Sequence, residues 1–320
     1  MMSGNQLLLG LTGLLLMGTG CQSVGMVSPA AAPTVGMMAV AAPMEHGYGA
    51  VITDDTAKLV FDDGDGFRTK AEASKPSSVD LRPNCPPIRH QMMANACTGF
   101  AAAGFLEYLV QKESGRYVPL SPRFVWYLAR QEYERAVPQT NARKRNAFAR
   151  TADGLNAITQ VGAPEESAFA MATAAQMSEW FYLPPVARAT ALDDFAAKAP
   201  SPDAFADAKR YRLTKGYRTL HTFSQMKRAL EWGSPVVLTM ACYESLDRDE
   251  VVRTGRMPVP DPKKEKYTGG HAVCAVGYDD QQRVVIIRNS WGTKSGDKGY
   301  YYMPYDFIKQ GFLYDGFAAK

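Results

Sequence analysis

Two apolar runs near the C-terminus constrain the fold more than any other feature of the chain: HAVCAVGY at residues 271–278 and RVVIIRN at residues 283–289. Both are short, rich in β-branched residues and separated by a few polar residues, which is the signature of an antiparallel hairpin. A three-residue loop at Asp279, Asp280 and Gln281 would place His271 directly opposite Asn289, with both side chains on one face of the sheet. A loop one residue shorter or longer would separate them. Further strand-like runs fall at residues 235–243 and 299–303.

Upstream of these strands the apolar spacing is helical. Ala101, Phe105, Tyr108 and Leu109 share a stripe, a second helix opens after Ser121-Pro122, and residues 151–161 give a third. Thr222 and Gln225 form the Thr-x-x-Gln box expected at a helix start, predicting a helix over residues 223–232. Helices at about 94–190 followed by strands at about 222–310 predict an α+β protein of two packed subdomains, with a site in the cleft between them.

The N-terminus is read separately. Residues 7–17 (LLLGLTGLLLM) form an uncharged run shorter than the roughly 20 residues a membrane-crossing helix needs, so residues 1–20 read as a secretory signal. Gly18, Thr19 and Gly20 then lead into Cys21, and this stretch resembles the cleavage box of bacterial lipoproteins, in which the cysteine carries the lipid. These features predict an exported, cell-envelope or periplasmic protein anchored through Cys21. Residues 21–76 are rich in Pro, Ala, Gly and Met and read as a tether that buries no core, with short strands at residues 50–52 and 59–61, leaving residues 77–320 as the folded domain.

Composition narrows the function classes. A net charge of +4 on 320 residues argues against a nucleic-acid track. Five cysteines are too few for a dense disulfide scaffold, and the pairing of Cys85, Cys242 and Cys274 stays open. No pair among the four histidines has metal-ligand spacing.

The chemistry-bearing residues lie in three segments. Cys97 stands at the opening turn of the first predicted helix, with Asn95 a candidate cap; unpaired N–H groups and the helix dipole there favour a thiolate. His271 opens its strand within TGGHAV, and Asn289 lies within RNSWG. Cys274, an odd number of residues from His271, belongs to the opposite strand face.

These segments together resemble the papain-like cysteine peptidases, particularly the bacterial members, over residues 79–320. The resemblance implies a helical subdomain packed on an antiparallel, barrel-like β subdomain. It implies Cys97 as nucleophile, His271 as general base and acid, Asn289 as the group orienting the imidazole, and Gln91 as an oxyanion donor. Trp291 would shield the His–Asn bond, while Gly270 and Gly154 would line the groove for an extended substrate. The implied activity is hydrolysis of peptide bonds in a peptide or protein through a thioester, with no metal or organic cofactor. Thr98, a broken glycine pair at Asp153-Gly154 and the missing tryptophan after Asn289-Ser290-Trp291-Gly292-Thr293 leave open an alternative, a papain-like module that binds peptide or protein with little catalysis. The Cys97–His271 interval exceeds the pattern's roughly 130–150 residues, with insertions expected at residues 182–210 and 247–266.

Overall fold

A computed structural model describes residues 47–53, 56–62 and 76–320. The signal segment and Cys21 lie outside the described residues. The chain runs β1 (Ser78–Asp80), α1 (Cys97–Ser114), α2 (Pro122–Ala136), α3 (Thr151–Gln160), α4 (Ala174–Phe181), α5 (Pro185–Ala197), α6 (Pro202–Ala208), β2 (Tyr217–Thr219), α7 (Phe223–Glu231), β3 (Val236–Tyr243), α8 (Asp249–Thr254), β4 (Tyr267–Asp279), β5 (Val284–Arg288), β6 (Tyr300–Pro304), α9 (Tyr305–Lys309) and β7 (Leu313–Ala319). The strands form one antiparallel sheet in the order β2-β7-β3-β4-β5-β6, with β1 also paired to β4.

Local chemistry accounts for several boundaries. Ser121 accepts the amide of Phe124 and Pro122 opens α2, so the helix starts where the sequence places it. Thr222 accepts the amide of Gln225 at 3.3 Å to start α7, while the Gln225 side chain accepts from His221. Asn95 is not the cap of α1: that position is Ala96, and the Asn95 side chain donates to the carbonyl of Asn146 instead. Nor is α1 a one-sided amphipathic helix. Every residue from Cys97 to Tyr108 is buried, because α2 and α3 cover one side and the sheet the other. The hydrophobic core therefore runs through α1 and joins the helical half to the strands.

β4 organises the cleft. One of its edges pairs with β3 and then β1, and the other pairs with β5 only from Cys274 onward. The stretch before Cys274 on that second edge is left for other partners, and it faces the N-terminus of α1. The 174–208 stretch, which overlaps the first expected insertion, forms α4, α5 and α6. Met177, Leu192 and Ala196 pack there with Ala94, Ala96 and Trp126, behind the loop that precedes Cys97.

The tether expectation is corrected for its described part. Ala50 and Leu59 are buried, and residues 47–62 bridge Gly270, Ala149, Tyr314 and Thr222. Tyr48, Ile52 and Phe61 pack on the core beside them, and backbone hydrogen bonds to Gly270, Ala149, Leu313 and His221 fix the course of the segment, which composition does not report.

Candidate active site

Cys97 is the first residue of α1, and its side chain is fully buried. The amide of Ala272, on the unpaired edge of β4, donates to Cys97 Sγ at 3.4 Å, which sets the sulfur beside the residue that follows His271. The amides of Gly49, Thr98 and Cys97 also bond the sulfur. These donors favour the thiolate, as the helix-start position suggests, but loss of solvent outweighs them and burial pushes the thiol up to about 11.

His271 Nε2 and Asn289 Oδ1 are 2.8 Å apart and buried. The amide of Ser290 donates to the same Oδ1 at 2.7 Å, which identifies that atom as the acceptor and gives Nε2 the proton. Nδ1 is thereby left as the basic nitrogen of the neutral ring. Trp291 lies nearly parallel to the imidazole, with centroids 4.7 Å apart and an interplanar angle of 22°, so an indole face keeps water from the His–Asn bond. The His271–Asn289 contact forms although the register expected for it does not. Val284 opposes Asp279 across a four-residue turn with Arg283 at φ 54°, and a bulge between Ala275 and Gly277 shifts the ladder again, so Cys274 opposes Arg288. Asn289 lies just past the end of β5, where the chain leaves the ladder, and its side chain reaches the imidazole from there.

Gln91 is fully buried beside this group. Its Oε1 accepts from Ser290 Oγ at 2.6 Å, so Nε2 is turned toward the cleft, where it donates to the carbonyls of Gly47 at 2.8 Å and Ala94 at 2.9 Å. Sequence reading missed Ser290, which fixes both amide side chains of the site; its place inside the Asn-Ser-Trp-Gly motif is the only signal for it. His90 accepts the amide of Met92 through Nδ1 at 2.9 Å, and Met92 is held at φ 54°. Asn146 grips the next stretch of the loop: its Oδ1 accepts from the Asn95 amide at 2.8 Å and its Nδ2 donates to Met93 O at 3.2 Å. Asp193 on α5 accepts the Asn146 amide at 2.7 Å.

Residues 47–52 thread the cleft itself. The Ala50 amide donates to Gly270 O at 2.9 Å, the Ala149 amide donates to Gly49 O at 3.1 Å, and the Val51 amide donates to Ala149 O at 3.0 Å. Ala50 runs antiparallel to Gly270 and parallel to Ala149, bridging the two halves of the molecule. Gly270 thus pairs with the threaded segment. Gly154 makes no such pairing: it is buried inside α3 against Thr98 O. The extended chain is held instead by the backbone of Ala149. The peptide group that pairs with an extended chain needs no particular side chain, which is why motif matching does not single out Ala149. The cysteines of the described residues, Cys85, Cys97, Cys242 and Cys274, are all free thiols. Cys274 is buried against Ala101 O at 3.3 Å, where α1 crosses the sheet.

Comparison with known proteins agrees with this architecture. The model of the Peptidase_C39 like family matches residues 172–317. Xylellain, a cysteine protease from Xylella fastidiosa, matches with a TM-score of 0.65 at 26% identity, covering 87% of this chain and 96% of that one. The bromelain protease from Ananas comosus matches with a TM-score of 0.51 at 19% identity, covering 76% of this chain and 98% of that one. An uncharacterized peptidase C1-like protein of Acanthamoeba polyphaga mimivirus is 38% identical over 99 residues, 31% of this chain and 32% of that protein. Cathepsin K of Mus musculus is 25% identical over 234 residues, 72% of this chain and 60% of that protein. The matches thus span about a third of the length of the first curated relative and 60% of the second. The fold is the α+β papain-like fold, with a helical part packed on an antiparallel sheet. In sequence the chain is similar to papain-like cysteine peptidases over part of its length, and in fold over most of it.

Proposed function

We propose that the chain is a cysteine-type peptidase, held latent in this conformation by its own residues 47–52. The observation that carries the reading is the buried His271–Asn289 bond at 2.8 Å, with Cys97 Sγ 3.4 Å from the next backbone amide. Deprotonated by His271 Nδ1, Cys97 attacks a peptide carbonyl carbon. The carbonyl oxygen takes the negative charge and is met by Gln91 Nε2 and the Cys97 amide. The imidazolium returns its proton to the departing amine as the C–N bond breaks, leaving a thioester. His271 then takes a proton from water as that water attacks, and returns it to the sulfur as the acid is released. Asn289 holds the ring in the tautomer that this sequence requires.

Latency is supported by what faces the sulfur. Gly49 presents an N–H to Cys97, not a carbonyl carbon, so the threaded segment as it lies is not aligned for attack. With the thiol raised to about 11 by burial, little thiolate is present at neutral pH until the segment leaves.

The test is hydrolysis of a quenched fluorescent peptide library by the full chain, before and after the segment is displaced by substitution. Turnover that rises on displacement and vanishes in Cys97→Ala and His271→Ala is the expected result. Turnover that survives Cys97→Ala overturns the reading. We further propose export and lipid anchoring through Cys21. The test is incorporation of labelled palmitate, expected in the parent and absent in Cys21→Ser; equal labelling of both would refute the anchor.

A further inference from the structure

The segment in the cleft carries one large side chain, Tyr48, and its surroundings form a fitted seat. The ring stands edge-on to His271 and Trp291, with centroid distances of 6.1 and 5.8 Å and interplanar angles of 88° and 84°. The phenol donates to Asp247 Oδ1 at 2.5 Å, and the Thr268 side chain also bonds it. Gly269 forms the floor. A Cβ there would lie 2.9 Å from Tyr48 Cβ, and its φ of 147° is one that residues with side chains rarely adopt. Asp247 is exposed and lies at the start of the second expected insertion, the stretch that leads into the strand bearing His271.

We infer that this seat is a substrate subsite that reads a phenol, and that Asp247 is its specificity-determining residue. The inference rests on the hydrolase reading for its place along the substrate. His271 must deliver a proton to the departing amine, so a side chain packed on His271 and Trp291 belongs to the leaving-group half, immediately after the broken bond. The acyl half is the part paired with Ala149. A side-chain pocket of this kind accepts its occupant whichever way the backbone runs, so Tyr48 can fill it from a segment not aligned for attack. Ring edges and faces offer the aromatic walls for any aromatic side chain. The carboxylate distinguishes Tyr from Phe, because a hydrogen bond to a charged acceptor is stronger than one between neutral groups. Asp247 is reachable by solvent, so the discrimination is modest, about tenfold and not the larger factors of a sealed polar pocket.

The test uses the full chain carrying Tyr48→Ala and Gly49→Ala, which empties the seat. Peptides that differ only in the residue after the scissile bond, Tyr, Phe or Leu, are compared by kcat/KM. The expected result is Tyr over Phe by about tenfold, falling to about one with Asp247→Ala and partly retained with Asp247→Asn, which keeps an acceptor. Equal rates for Tyr and Phe before Asp247 is changed would overturn the proposal. A second arm adds Cys97→Ala and measures equilibrium binding of Tyr-Gly-Gly amide against Phe-Gly-Gly amide, so it needs no turnover. Selective binding of the Tyr peptide that disappears with Asp247→Ala supports the seat even where no peptide is hydrolysed, and that combination counts against the hydrolase reading alone. Equal binding of the two amides refutes the seat.

Discussion

Replacing Gly49 by alanine should open the cleft. An added Cβ would sit 2.1 Å from the carbonyl oxygen of Asn95 and 2.4 Å from its carbon. Gly47 is equally confined, with a Cβ 2.4 Å from Ala94 O. Both obstacles are backbone atoms of the loop that Asn146 pins, so the loop cannot retreat cheaply and the threaded segment must. The segment's hydrogen bonds, worth about 1 kcal/mol net each, and the packing of Tyr48, Ala50 and Ile52 on the core work against an ordering cost of about 1–2 kcal/mol per residue, so closure is a balance of opposing terms. An overpacking cost of about 1–3 kcal/mol is then enough to raise the open population by roughly 5- to 150-fold. The assay is the rate of iodoacetamide labelling of Cys97 at neutral pH, mapped by peptide mass, with thermal melting to show that the fold persists. A rise within that range is expected for Gly49→Ala, and a larger one with Gly47→Ala added. An unchanged labelling rate in a folded Gly49→Ala protein would show that residues 47–52 do not control access to the sulfur.

Three further outcomes follow from the same geometry. Gln91→Ala in the opened protein should lower kcat about 10²- to 10³-fold, the usual loss for one oxyanion donor, and Ser290→Ala should lower it less by freeing the amide to turn; equal activity in the parent and Gln91→Ala would remove the residue from that role. The closed chain should label at Cys97 with a steep alkaline dependence. Its thiol, raised to about 11 by burial, binds its proton more tightly than a free thiol, so the stabilisation of closure is complete below the ordinary thiol range and is lost as pH climbs toward 11. The opened protein should reach its full labelling rate at lower pH, and superimposable pH profiles would contradict this. Asn146→Ala, which frees the loop between Met93 and Asn95, should cut kcat with little change in KM, since the loop presents the oxyanion donors without touching the distant substrate; a change confined to KM would refute the assignment.

How much of this was legible in the sequence depended on where the information resides. Helix starts at Ser121-Pro122 and Thr222 were readable because a cap is local chemistry between residues a few positions apart. The meeting of His271 with Asn289 was readable as a pairing, but not its register, because the bulge near Val276 and the turn residue Arg283 at φ 54° leave little trace in an alternating apolar pattern. Strand β7 was missed where Asp315, at φ 41°, and a register shift opposite Leu238 and Thr239 break the alternation. The threaded segment was legible only in part: short strands at residues 50–52 and 59–61 were expected, but not the partners they meet. Gly47 and Gly49 look like linker glycines, yet their lack of a side chain is what admits the backbone against Ala94 and Asn95. Its partner Ala149 acts through N–H and C=O groups that every residue type except proline carries, so no pattern of side chains could have pointed to it.

The central claim, that Cys97 forms a covalent acyl intermediate with a peptide substrate, is tested most directly by acid-quenching the opened protein during turnover of an activated peptide ester and weighing the intact chain. The account predicts an added acyl mass that maps to Cys97, decays on return to neutral pH, accumulates more slowly in His271→Ala and is absent in Cys97→Ala. Hydrolysis that proceeds with no adduct at Cys97, or an adduct mapped to another residue, would contradict it.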